Sequence, residues 1–310
     1  MKKTLAMMTA AVMVAGALAG CGSSGSTPAA TTAAATEAAT TAAATEAATT
    51  AAATEAATDA ATTEVAGDTT AAAEGTVKTP SGKFTVGFDQ EFPPMGFVGD
   101  DGQFTGFDLD LAKEVASRLG LEFVPQPINW DAKDMELDSG NIDCIWNGFT
   151  MQGREDAYTW VGPYMANNQV FVVTADSDIA SKADLAGKAV EVQKDSSGLA
   201  ALQGEAELSA SFGSMTEVAD YNTALMDLES GACDAVCMDS IVAGYQIKSS
   251  DKDMKILDDT LSAEEYGIGF KKGEDALAKA VYDTLMDMKD DGTVAKISND
   301  WFGSDVFTLK

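Results

Sequence analysis

Asn141-Ile142-Asp143-Cys144-Ile145-Trp146-Asn147-Gly148-Phe149-Thr150-Met151-Gln152-Gly153-Arg154-Glu155-Asp156 is the stretch on which the fold turns. It follows a Ser139–Gly140 turn, and Ile142, Cys144, Ile145 and Trp146 form a short apolar run that reads as a buried strand. The pattern predicts that this strand breaks at Asn147–Gly148 into a polar loop with free backbone N–H groups, which ends on Arg154. The chain has two arginines. Arg118 falls in the last turn of a predicted helix, where a cation complements the helix dipole. Arg154 has no such setting. A planar guanidinium matches a carboxylate bidentately, which a lysine cannot do. Arg154 is therefore read as a clamp for a small-molecule carboxylate at the mouth of a sheet. The competing reading is a surface arginine paired with Glu155 or Asp156.

Outward from this stretch, the two ends of the chain differ in kind. Lys2 and Lys3 precede an apolar run, Leu5 to Ala19, that is shorter than the roughly 20 residues a membrane helix needs. The run ends in Leu18-Ala19-Gly20-Cys21 and is similar to a bacterial lipoprotein signal, with residues 1–20 removed and Cys21 carrying lipid. Residues 21–77 read as a spacer. The nine-residue unit TTAAATEAA stands three times in succession over residues 31–57. It offers no large apolar side chain to bury, so it has no means of forming a core. As a coil of about 55 residues it would span roughly 40 Å.

Composition removes whole classes of function. The formal charge is −29, and −31 once Lys2 and Lys3 leave with the signal, which opposes nucleic-acid binding and a polybasic membrane contact. There is no histidine, so Ser-His-Asp and Cys-His catalysis and histidine metal sites are excluded. Cys233 and Cys237 bracket a predicted strand, which would hold them roughly 13 Å apart, beyond disulfide reach. With Cys144 they are read as small buried residues.

From Lys83 onward strands alternate with helices. Lys83–Phe88 reads as a strand, and Asp89 to Phe97 as a loop held by Pro93 and Pro94. Asp100-Asp101-Gly102 reads as a hairpin turn. A helix runs from Asp108 to Gly120, with Ala112, Val115, Ala116 and Leu119 on its apolar face. Leu121–Pro127 is a strand, Trp130 lies on a loop, and Asp134–Leu137 opens a short helix. Further strands are expected at Val170–Thr174, Lys188–Val192, Leu208–Phe212 and Ile268–Lys271. Further helices are expected at 198–204, 220–230, 275–291 and 293–301. Leu137 to Asp143 and Leu228 to Asp234 share the pattern Leu-x-Ser-Gly-x-x-Asp, which points to two similarly built α/β lobes. Mostly parallel sheets follow, with ligand groups at the carboxyl ends of strands.

Several motifs then fall together: Gly87-Phe88-Asp89 with Pro93-Pro94, Thr105-Gly106-Phe107-Asp108-Leu109-Asp110-Leu111-Ala112, Ser139-Gly140-Asn141-Ile142-Asp143, Gly148-Phe149-Thr150 with Arg154, Gly162-Pro163-Tyr164, and Asp234-Ala235 with Asp239. From Lys83 to Phe302 the chain resembles the polar amino-acid-binding proteins that serve ABC importers. The resemblance implies an α/β, two-lobe, type II periplasmic-binding-protein-like fold hinged by two crossing strands. Lobe 1 would be 78–168 with 269–310, and lobe 2 would be 169–268. It also implies a free amino acid held between the lobes. Arg154, the Thr150 backbone and Ser196 would take the carboxylate. Asp239 would take the ammonium, helped by Gly148 or Asn147. Phe92 and Trp130 would wall the side chain, and Asp89 would meet its polar end. Phe92 and Trp130 are equally readable as core aromatics, Asp89 as a cap on local amides, and Asp239 as the cap of a helix starting near Ile241.

The family usually runs Thr-Ile-Thr, two residues, then Arg; Thr150 to Arg154 is one residue shorter and lacks the second threonine. The expectation is a monomeric, extracytoplasmic lipoprotein without cofactor. It would be tethered by Cys21 and deliver a polar amino acid, with a cationic side chain favoured, to an ABC permease. Glutamine or cystine is the alternative ligand. A dehydratase using Glu91 or Asp89 as its acid, or a sensory module, is the alternative function.

Overall fold

Lys83–Phe88 forms the first strand, β1, of a computed structural model that describes Thr79, residues 81–250 and residues 252–310. The expected signal, Cys21 and the spacer lie outside the described residues. Glu91–Phe92 (β2), Gly96–Val98 (β3) and Phe104–Thr105 (β4) pair as a small antiparallel sheet, closed by the Asp100-Asp101-Gly102 turn. Helix α1, Phe107–Leu119, buries Ala112, Val115 and Ala116 and stops at Gly120. Gly120 takes the left-handed conformation, and its N–H returns to the Ala116 and Ser117 carbonyls.

The chain continues through Glu122–Pro127 (β5), Lys133–Ser139 (α2), Cys144–Thr150 (β6) and Tyr158–Thr174 (β7). Next come Ala189–Gln193 (β8), Ser197–Gly204 (α3), Ala206–Ser211 (α4), Ser214–Val218 (β9), Tyr221–Ser230 (α5), Ala235–Asp239 (β10) and Ser240–Ser249 (α6). Met254–Lys271 (β11), Asp275–Asp290 (α7) and Thr293–Phe302 (α8) complete it.

The large sheet has eight strands in the order β5-β1-β6-β11-β7-β10-β8-β9. β1 runs parallel to β5 and β6, and β8 parallel to β9 and β10. Between these parallel groups, β7 and β11 lie antiparallel, paired from Met254 against Thr174 to Lys271 against Tyr158 with three shifts of register on the way. β6 pairs with the Tyr266–Phe270 end of β11, and β10 with the Gln169–Val172 end of β7. Each long strand thus passes from one parallel group to the other, as expected of two α/β lobes joined by two crossing strands.

Three local expectations need correction. Leu208–Phe212 is not a strand. Most of it lies in α4, and the strand is β9, Ser214–Val218, six residues later than expected. Leu208 and Phe212 are four residues apart, a helical spacing, and both pack against the core beneath β8 and α3. Next, the strand opened by Cys144 does not break at Asn147–Gly148 but runs buried to Thr150. Two of its polar groups find partners there: the Gly148 N–H donates to Asp108 Oδ2 at 2.7 Å, and Asn147 Oδ1 accepts from the Asp89 N–H at 3.0 Å. Finally, the crossing strands are 17 and 18 residues long, where apolar pattern alone marked only Val170–Thr174 and Ile268–Lys271. Their middles carry Asn167, Gln169 and Glu264, side chains that face a polar interior instead of a core.

Candidate functional site

The carboxyl ends of β6 and β10 meet across the two crossing strands. After Thr150 the chain makes a tight turn in which the Arg154 N–H donates to the Met151 carbonyl at 2.9 Å. Gly153 takes φ 78° inside that turn, a conformation cheap only for glycine. The shortened loop therefore returns Arg154 towards Thr150. Its Nη1 donates to the Thr150 carbonyl at 3.2 Å, and its Nη2 to the Asp195 carbonyl at 3.3 Å. The guanidinium lies 5.1 Å from the Phe149 ring centre. Among the described residues it forms no ion pair, with Glu155 and Asp156 or any other acid. The surface-pair reading of Arg154 is not what the geometry shows.

Asp239 ends β10. It stands at the N-cap position of α6, yet its side chain makes no capping bond. Instead Oδ1 accepts from Asn167 Nδ2 and the Tyr266 hydroxyl, both at 2.7 Å, and Oδ2 from the Tyr221 hydroxyl at 2.9 Å. Ser196 does cap: its Oγ accepts from the Leu199 N–H at 3.1 Å at the start of α3, an arrangement worth about 1 kcal/mol. The first N–H groups of that helix are left without intrahelical partners.

Seven of the nine expected residues line one small cavity: Phe92, Trp130, Gly148, Thr150, Arg154, Ser196 and Asp239, joined by Gln193 and Ser197. Its volume is about 10 Å³, roughly what one water occupies, so the two sides of the sheet are drawn together over it. Phe92 is buried and stacks at a tilt on Tyr221, 5.8 Å between ring centres. Trp130 is half-buried, in a short 3-10 turn, edge-on to Phe149. Each aromatic is both core and wall. At Gly148 (φ 57°) a Cβ would lie 2.9 Å from the Phe92 ring and 3.1 Å from the Tyr266 ring, so only glycine fits.

Two expected residues lie elsewhere. Asn147 supports the Asp89 backbone and does not reach the cavity. Asp89 lines a neighbouring groove of about 1150 Å³ that also touches Trp130, Glu91, Glu217 and Asp220. The buried Asp89 carboxylate does cap a local amide, the Glu91 N–H at 2.9 Å. Its other oxygen accepts from Gln193 Nε2 at 2.7 Å, and that bond spans β1 and β8, from the two sides of the sheet.

Sequence reasoning did not find Glu264, Lys133 or Asp195. Glu264 Oε1 accepts from Asn167 at 2.7 Å, the Thr150 hydroxyl at 2.9 Å, Gln169 at 3.0 Å and, at 3.4 Å, the Ser197 hydroxyl. Lys133 is 2 % exposed and pairs with the Asp195 carboxylate, with its ammonium 5.2 Å from the Trp130 ring centre. Asp195 is the one described non-glycine residue at positive φ, 55°. The readable signal for Glu264 was period two: Asn167 and Gln169 on β7, and Glu264 and Tyr266 on β11, are buried while Asn168 and Glu265 between them are exposed.

Electrostatically the site is short of cations. Burial pushes the Asp89 carboxyl up to about 6, against the opposing effect of its bonds to Glu91 and Gln193. Burial, then the nearby Glu264, raise the Asp239 carboxyl. Behind the site, burial lifts Asp108 to about 7 despite donors from Tyr164 and Gly148. Cys144, Cys233 and Cys237 are free and buried, and burial raises each thiol.

The chain is 32% identical over 231 residues to the L-cystine-binding protein TcyJ of Escherichia coli, covering 73% of this chain and 84% of that one. It is 30% identical to the arginine-binding extracellular protein ArtP of Bacillus subtilis, covering 75% and 92% respectively. Among solved structures it superposes on an ABC uptake transporter substrate-binding protein from Streptococcus pneumoniae with bound histidine. There the TM-score is 0.71 at 34% identity, over 74% of this chain and 95% of that one. These relatives are binding proteins, and the shared fold is the two-lobe, type II periplasmic-binding-protein fold. Residues 84–304 match the family profile, and the chain belongs to the bacterial extracellular solute-binding proteins, family 3.

Proposed function

We propose that this protein captures a polar L-amino acid between two lobes and delivers it to an ABC permease. The observation that carries the reading is the placement of Arg154 and Asp239 on the same small cavity, one after β6 and the other at the end of β10. A zwitterion needs a cation and an anion in one dry site, because an unpaired buried charge is costly. In this reading lobe 1 is 78–168 with 269–310, lobe 2 is 169–268, and β7 and β11 are the hinge. Arg154, the Thr150 backbone, Ser196 and the α3 N-terminus receive the carboxylate. Asp239 receives the ammonium beside Gly148, and Phe92 and Trp130 enclose the side chain. The ligand bridges the lobes and holds them closed.

The side chain is proposed to be cationic. Asp89, buried beyond Trp130 and paired with no lysine or arginine among the described residues, supports this. One observation favours a longer ligand such as cystine: the groove beyond Asp89 is far larger than a single side chain needs. The protein is further proposed to act as a monomer, without cofactor, tethered outside the membrane by lipid on Cys21. Residues 1–20 would be its signal and 21–77 its spacer. Calorimetric titration of residues 78–310 with each L-amino acid and cystine tests the function. A single strong ligand is expected, and Asp89→Asn should weaken a cationic ligand far more than a neutral one. No heat with any of them, at concentrations up to 1 mM, would overturn the reading.

A further inference from the structure

Glu264 has no role in the carboxylate clamp or the side-chain wall, yet more of the site's donors converge on it than on any other group described above. It lies mid-way along β11, directly opposite Asn167 on β7. The Asn167 amide nitrogen donates at 2.7 Å to Glu264 Oε1 and at 2.7 Å to Asp239 Oδ1. Two such bonds to one atom put the carboxylate oxygens no more than about 5.4 Å apart. Both acids are at most 5 % exposed. The groups facing them are the hydroxyls of Tyr221 (α5), Tyr266 (β11), Thr150 (β6) and Ser197 (α3), and the Asn167 and Gln169 amides (β7). The nearest thiol is Cys237 on β10. No lysine or arginine pairs with either acid among the described residues. The cation sharing Asp239's cavity is Arg154, which the ligand carboxylate is to occupy.

Burial, and then a second carboxylate this close, disfavour the ionised form of Asp239 unless a counter-ion arrives. We propose that Glu264 is a positioning residue for the ligand's ammonium group: joined to Asp239 through Asn167, it makes one anionic pair that accepts the ammonium and gives up a proton to solvent in exchange. This rests on the amino-acid reading above. Protons balance: the free site holds one carboxyl proton on Asp239, whose carboxyl is raised by burial and then by the nearby Glu264; the ammonium arrives fully protonated, and the displaced carboxyl proton leaves to buffer. The pair would also disfavour ligands without an ammonium group, since they bring no charge to offset two carboxylates. Because Thr150 and Ser197 donate to the same oxygen, the ammonium end and the carboxylate end are ordered by one residue.

The test is calorimetric titration of the amino acid that binds, from pH 5 to 8, in two buffers of different ionisation enthalpy, for wild type and Glu264→Gln. Wild type should release protons on binding below about pH 7. Its affinity should rise with pH by up to about tenfold per unit before levelling. Glu264→Gln keeps the shape of the side chain and removes one charge. It should bind about tenfold more weakly at pH 8, release fewer protons, and level at a lower pH. Glu264→Asp keeps the charge and should retain the proton release, which keeps the test open if Glu264→Gln fails to fold; loss of the release in Glu264→Asp with affinity unchanged would overturn the inference. A residue that merely braces the hinge would lower affinity equally at every pH. An unchanged pH profile in Glu264→Gln, with wild type binding normally, overturns this inference and leaves the amino-acid reading standing. Absence of binding by wild type overturns both.

Discussion

Leu137–Asp143 and Leu228–Asp234 are built alike to the level of single hydrogen bonds. Each helix ends on a left-handed glycine, Gly140 at φ 76° and Gly231 at 78°. In each the next N–H turns back, from Asn141 to Glu136 at 3.0 Å and from Ala232 to Asp227 at 2.8 Å. In each the final aspartate locks onto the neighbouring parallel strand in both directions. The Asp143 N–H donates to the Thr85 carbonyl at 2.8 Å, and Asp143 Oδ2 accepts from the Thr85 N–H at 2.6 Å. Asp234 makes the same two bonds with Ala189, both at 2.8 Å. The strands that follow diverge only at their far ends. β6 leads to Thr150 and a turn that brings Arg154 back, while β10 stops on Asp239. The same scaffold, used twice, presents a cation from one side and an anion from the other. What the fold repeats is support; what it varies is the last residues of the strand.

If that division is correct, the largest effects belong to the variable ends. Arg154→Ala and Asp239→Asn should each weaken ligand binding by about 100-fold or more, in line with the 2–5 kcal/mol cost of removing one partner of a buried charge pair. The unfolding midpoint of the free protein should barely move. Calorimetry and chemical denaturation on the same samples check this, and a large drop in stability would mean these side chains are scaffold.

A second effect comes from an asymmetry behind the ends. Gly148 in β6 leans on the buried Asp108 carboxylate. With its folded-state value raised from 3.8 to about 7, the native protein binds more protons than the unfolded chain between those values. Asp108 therefore makes stability fall as pH rises from about 4 to 7, by up to about 1.4 kcal/mol per unit. Asp108→Asn cannot ionise and should flatten that slope in urea melts. A wild-type slope retained in the variant would place the titration elsewhere.

The smallest effects belong to the shared aspartates. Asp143 is half-buried and Asp234 exposed. Asp143→Ala should therefore cost about 1–2 kcal/mol and Asp234→Ala about 0.5–1 kcal/mol, both with ligand affinity unchanged. Equal costs would sharpen the equivalence of the two copies. A loss of affinity in either would break the division between support and site.

The features legible in the sequence were local ones. The glycine stops of α1, α2 and α5, the α1 apolar face, and the paired Leu-x-Ser-Gly-x-x-Asp motif depend on residues within a few positions of one another. So does the oddity of an arginine with no helix end or acid to serve. What escaped was set by long-range register. Glu264 and Asn167 meet only because β11 and β7 run antiparallel across both lobes, and the period-two alternation around each says which residues share a face but not which strand they oppose. The polar middles of these strands interrupt the apolar pattern that ordinarily reveals a strand, because they face a cleft and not a core. Gly148 hid a continuing strand for a related reason: its N–H is satisfied by Asp108, forty residues earlier in the chain.

On this division of labour, the two ends of the ligand are read by the two copies of the scaffold separately. The most direct test measures, for wild type, Arg154→Ala and Asp239→Asn, the affinity of the amino acid that binds beside its decarboxylated and its deaminated analogue. Wild type should reject both analogues strongly. Arg154→Ala should no longer distinguish the amino acid from the decarboxylated form, yet still reject the deaminated one, and Asp239→Asn should do the reverse. Both variants losing both discriminations together, or neither losing any, would contradict the account.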